Sequence, residues 1–228
     1  IVARGVPETR PAARAVHPPL VGLLRVFLDG PYVVFLLLQL AALTVFVQFQ
    51  LAAPVDMDRH GVGPGTFAAL LSLNGLGVVV LQPLLGASLA RRDTARLLAA
   101  SAVLIGAGTG VNALAGALPP LPVYLAGVVL WTFGEVVGFP AAAALVANLA
   151  PPELRGRYQG AFSMSWGVAF TAAPALGGEM LTRFGSAAHW LACLGACLAV
   201  AAGHLATAAP RRRRLAAALA RRAVPPAA

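Results

Sequence analysis

The sequence contains no lysine, only two cysteines and little charge of either sign: 11% of its 228 residues are charged and 7% are aromatic. Each shortage excludes something. So few charges cannot solvate a soluble domain of this length, and with 59% hydrophobic residues and a mean hydropathy of +0.79 the chain reads as a membrane protein. Cys193 and Cys197 share one apolar stretch, which argues against a disulfide framework. The 17 arginines against 8 acids give a net charge of +9, yet no aromatics interleave with them, so no nucleic-acid partner is expected. "GAGTG" at 106–110 lacks a preceding strand and a Lys-Ser/Thr pair, so it reads as helix packing rather than a nucleotide loop, and no cofactor is expected. His189, Cys193 and Cys197 recur every four residues with His204 beyond them; small polarizable residues of a peripheral helix explain them better than a metal centre, and no metal is expected. The chain begins at Ile1 with neither an initiator Met nor a short apolar signal segment, and is expected to be a piece of a longer one.

Long uncharged runs organise what is there. Between Asp29 and Asp56, Arg59 and Arg91, Arg157 and Glu179, and Arg183 and Arg211 there is no charge, and each gap accommodates the ~20 residues that cross a bilayer. From Arg96 to Glu153 the single charge is Glu135, and "LPPLP" at 118–122 divides that run in two. The expected fold is an all-α membrane protein with six transmembrane helices at about 32–53, 66–89, 96–117, 122–149, 159–181 and 188–208. Around this bundle (29–209) lie a leader, 1–28, and a loose basic tail, 210–228. With six spans, fifteen arginines fall on the side of both termini and two, Arg59 and Arg183, on the other. That asymmetry predicts a multi-pass protein of the cell (cytoplasmic) membrane with both termini in the cytoplasm. "RRRR" at 211–214 is then a topology determinant touching anionic lipid.

Several stretches resemble a known family in order and spacing. "LSLNGLGVVVLQPLLGASLARRD", "WTFGEVVGFPAAAALVANLAPPELRGR" and "PPELRGRYQG" followed by "WGVAFTAAPALGG" are similar to the C-terminal half of a major facilitator superfamily transporter, especially bacterial drug-efflux-like members. The resemblance implies twelve helices in two halves, an N-terminal six-helix half missing here, and transport by alternating access. It departs from the family at "GASLARRD", which lacks the acidic residue before the basic pair, and at Ala173, which stands for the glycine before proline in the antiporter motif.

Physical reasons place the candidate residues. Glu135 lies about 13 residues from either end of its helix, near the midplane, where an acid costs roughly 2.5–3.5 kcal/mol to insert and must face protein, water or a proton. Trp131 and Phe139 sit one turn either side on its face, an arrangement suited to a lipophilic cation or a proton relay. Gln39 and Gln50, with Phe46 between them, share a face of the first helix, and Asn74 stands in the second; with the aromatic pair they are the candidate substrate cavity. Glu153, Arg155, Gly156 and Arg157 make a polar cytoplasmic turn of gating type, with Gly156 allowing it to be tight. Gly160, Gly167, Gly177 and Gly178 offer close-packing surfaces and Pro174 a kink. Function is expected to be proton-coupled efflux of a lipophilic or cationic small molecule, with the lipid bilayer, the substrate and protons as partners. Alternatives are a metabolite or sugar importer of the same fold and a non-transporting membrane scaffold. No enzyme chemistry is expected, since no serine stands beside a base as a nucleophile.

Overall fold

A computed structural model describes residues 25–223, with side chains to Ala217. All of the leader before Arg25, and the side chains of Arg221 and Arg222, lie outside the described residues. Within them the chain is helical, in the order α1 (Gly30–Leu51), α2 (Ala53–Arg59), α3 (Pro64–Leu89), α4 (Thr94–Gly110), α5 (Pro120–Leu149), α6 (Arg155–Arg183), α7 (Gly185–Ala206) and α8 (Ala208–Ala223). Short 3-10 turns at Val111–Leu114 and Pro152–Leu154 join α4 to α5 and α5 to α6.

The six long helices lie where the charge gaps put them, but α1, α3, α4 and α5 each start two residues earlier. Proline explains three of those shifts. Pro31, Pro64 and Pro120 occupy first-turn positions, where a missing N–H costs nothing and the fixed φ suits a helix. Five segments are long and apolar enough to cross a membrane: α1, α3, α4 with its 3-10 extension, α5 and α7. α6 is nearly as long as α5 but is not among them; its 29 residues include Ser163, Ser165, Thr171 and Glu179.

Packing is built on small residues. A Cβ on Gly108 would lie 2.7 Å from the Gly127 carbonyl and one on Gly106 2.5 Å from the Cys197 Cβ, so "GAGTG" is where α4 closes on α5 and α7. Close approach of backbones is what small residues permit in a lipid environment, where burial between helices gains little from exclusion of water. The Ser101 hydroxyl donates to the Gly134 carbonyl at 2.6 Å across the same contact. By contrast α3 is almost uncovered: Leu73, Leu76, Val79, Val80 and Leu84 are exposed and only Leu70 is buried.

The basic tail is the clearest departure from expectation. Residues 208–223 form α8 rather than a loose tail. It is fastened by its arginines: Arg212 makes a two-point contact with Asp93, Nη2 to Oδ1 and Nε to Oδ2, both at 3.0 Å. Arg214 donates to Asp29 at 3.2 Å, and Arg211, 4% exposed, caps the His204 carbonyl at the end of α7. Three of the four arginines at 211–214, in a tail expected to be loose, are thus distributed over separate partners.

Candidate functional site

α5 carries Glu135 to a half-buried position against α3. There the Asn74 amide donates to Glu135 Oε2 and to Thr132 Oγ1, each at 3.0 Å, while the Thr132 hydroxyl donates to the Val128 carbonyl one turn back at 2.7 Å. The carboxylate is thus hydrogen-bonded on one oxygen by a neutral amide and faces no cation among the ion pairs of the described residues. Such an oxygen can take a proton or a cation without first breaking a salt bridge.

An aromatic wall flanks it. Trp131, one turn before Glu135, stacks on Phe46 with ring centroids 4.4 Å apart and on Phe49 at 4.8 Å. Phe139, one turn after, meets Phe46 edge-on at 4.9 Å and Trp166 at 5.3 Å. Offset and edge contacts of this kind suit the ring quadrupoles. Sequence reasoning found Phe46, Trp131 and Phe139 but missed Phe49 and Trp166; the latter sits on α6, whose register against α1 no local pattern fixes. The Trp131 indole N–H is buried without a hydrogen-bond partner among the described residues.

The glutamines of α1 are placed differently from one another. Gln39 is buried and lines a void of about 10 Å³ with Ser101, Phe139 and His204, room for at most one water and too small for a substrate in this conformation. Gln50 is half-buried. Between them the sequence reading passed over Gln48, which is buried and donates from Nε2 to the Ala173 carbonyl at 3.0 Å, with Oε1 left unpaired. It rests on Gly177, where a Cβ would lie 2.2 Å from that oxygen. Around Gly160, Gly167 and Gly178 nothing stands within 4 Å of where a Cβ would be, so of the four packing glycines expected on α6 Gly177 alone is held against a neighbour in this chain. Pro174 lies inside α6, one residue past the Ala173 carbonyl that Gln48 binds.

At the end of the bundle that holds α8, the polar turn has moved. Ala150 and Pro151 are extended and the 3-10 turn follows, so the prolines redirect the chain and Gly156 is already helical, the second residue of α6, with no positive φ. Glu153 and Arg155 are exposed. Beside them Tyr158 donates to Asp29 at 2.7 Å, and Tyr32 donates to the Tyr158 carbonyl at 2.6 Å. Burial pushes the Asp93 carboxyl up, but the hydrogen bonds from Arg212 and the Arg96 N–H and both guanidinium charges outweigh it and hold the group below the ordinary aspartate range.

The opposite end contains a cluster the sequence did not announce. Asp56, a boundary charge by its position, is fully buried and accepts from the Tyr124 hydroxyl and the Trp190 indole N–H, both at 2.7 Å on Oδ2. His60 Nδ1 lies 3.7 Å from Asp56 Oδ1, 2.8 Å from the Asp56 carbonyl and 3.2 Å from the Tyr124 hydroxyl. One carboxylate thereby ties α2 to α5 and α7. His189 Nε2 and Cys193 Sγ are 4.0 Å apart, both cysteines are free, and no group of three metal-ligating side chains gathers among the described residues.

Comparison with known proteins adds the following. The family profile described as Major Facilitator Superfamily matches residues 34–226. An uncharacterized MFS-type transporter, YhjO of Bacillus subtilis (strain 168), is 34% identical over 70 residues, 31% of this chain and 17% of that protein's length. No solved structure matches.

Proposed function

The chain belongs to the major facilitator superfamily, and from that premise we propose that it is a multi-pass membrane transport protein rather than an enzyme, the C-terminal six-helix half of an alternating-access exporter driven by protons. In this reading α6 is the sixth membrane span, and an N-terminal half covers the faces of α3 and α6 that this chain leaves open. Glu135 binds the proton, Asn74 orients its carboxylate, and the wall of Phe46, Trp131, Phe139 and Trp166 receives the apolar or cationic part of the cargo. The observation that carries the proposal is the Glu135 carboxylate itself: half-buried in a span, hydrogen-bonded by a neutral amide, and bracketed by aromatics one turn away on each side.

The same Asn74 bond also fits an acid that merely holds α3 to α5, and the two roles separate in the full-length protein. Glu135→Gln keeps the shape and a hydrogen-bonding group while removing the charge. For a proton carrier we expect normal membrane abundance, no proton-driven efflux, and partial activity in Glu135→Asp. Wild-type, pH-dependent export by Glu135→Gln of both cationic and neutral substrates removes the residue from the mechanism and leaves the packing role.

A further inference from the structure

A second cavity, of about 280 Å³, lies between the α1–α2 junction and α6, away from the Glu135 carboxylate and not among its neighbours. Its walls are Leu51, Val55, Pro174 and Leu181, and three polar side chains line it: Thr182, whose hydroxyl donates to the Gly178 carbonyl, Gln48 and Arg59. Gln48 lines one part, with its Oε1 buried and without a partner. The amide cannot be turned over to relieve this, because Nε2 is the atom that serves the Ala173 carbonyl. Arg59 lines the other part, its guanidinium reaching across the groove to donate from Nη1 to the Leu181 carbonyl at 3.2 Å. No carboxylate of the described residues pairs with Arg59, so most of its five N–H donors are uncommitted.

Eleven residues of largely helical rise separate the two anchors, on the order of 16 Å along the α1–α2 axis, less the backward reach of the arginine. The trough is therefore elongated, with a cation at one end and apolar walls running from it toward Gln48. Gly177 and Gly178 form part of its lining.

We infer that this trough is a binding site for an anionic amphiphile, its acidic head on Arg59 and its apolar body along Leu51, Val55, Pro174 and Leu181. An acid at Arg59 forms charge-assisted hydrogen bonds with donors that no carboxylate of the described residues occupies. The inference goes beyond the transport reading and its test needs no transport.

The test is photolabelling in membranes that hold the protein with its full complement of helices. Three probes carry the same diazirine: a long-chain fatty acid, its methyl ester, and a phosphatidylglycerol. Mapped by mass spectrometry, the acidic probes should label segments 48–59 and 173–182 and the ester should not. Labelling by the phospholipid alone identifies a bilayer lipid as the occupant, and labelling by the free acid alone a soluble amphiphile; both keep the site. Arg59→Gln should lower acidic labelling about tenfold, the loss expected for a charge-assisted bond, while Arg59→Lys retains most of it. Equal labelling by the ester in the unaltered protein, or acidic labelling indifferent to Arg59→Gln in a variant of normal abundance, overturns the proposal.

Discussion

Asp56 shows how little a single charged letter says about its surroundings. Between apolar runs it marks a boundary, yet the fold buries it under a tyrosine and a tryptophan. Removing the acceptor strands two donors in the interior, so Asp56→Ala should cost about 1–3 kcal/mol for each group left unpaired. Its exposed neighbour Asp58 is the control: Asp58→Ala should change stability by no more than about 0.5 kcal/mol. Thermal unfolding of both variants in detergent checks the contrast, and equal melting temperatures would refute the buried role. Glu135 was legible because an acid in the middle of an uncharged run is conspicuous by itself. Asp56 and Gln48 were not, since their partners lie 68 to 134 residues away in the chain and no periodicity connects them.

Elements were read well where charge and proline mark them and poorly where like charges cluster. Six long helices follow from uncharged gaps and proline starts, but α8 follows from arginines finding Asp93, Asp29 and His204 on three other segments. Asp93 is held below the ordinary aspartate range in the folded chain. Its depressed value means that its contribution is fully present above the unfolded aspartate value of about 3.9 and is lost as pH falls through the folded one. The clasp should therefore hold at neutral pH and loosen in acid below about pH 4. Acid-active proteolysis should then cut after the α7–α8 junction, and Asp93→Asn should show the same cleavage without acid; a tail equally resistant in that variant would contradict the clasp. On α6, Gly160 and Gly167 fall within about 20° of one another around the helix and face open space. If the N-terminal half proposed above packs there, Gly167→Leu should be harmless to this chain expressed alone and damaging to the two halves together. Co-purification of separately tagged halves decides it.

At the scale of the whole molecule, the hydrogen bonds sort the chain into two ends: Asp29, Asp93, Tyr158 and α8 at one, Asp56, His60, Tyr124 and Trp190 at the other. Which end faces the cytoplasm is predicted by the arginine asymmetry. Single cysteines near Asp93 and Arg155 should be shielded from a membrane-impermeant reagent in intact cells, and ones near Asp58 and Ser186 should react; labelling of the 90–95 turn from outside reverses the orientation. The bared face of α3 adds that six helices alone should self-associate, and that an upstream half should restore a discrete, active protein; robust transport by the isolated monomer contradicts the split. The three tryptophans also divide between these levels, Trp131 and Trp166 in the aromatic wall and Trp190 on the Asp56 carboxylate. This chain therefore carries its own fluorophores: with Trp131 and Trp166 replaced by phenylalanine, its remaining tryptophan emission is a single-site optical gauge of the Asp56 end, readable without any attached dye.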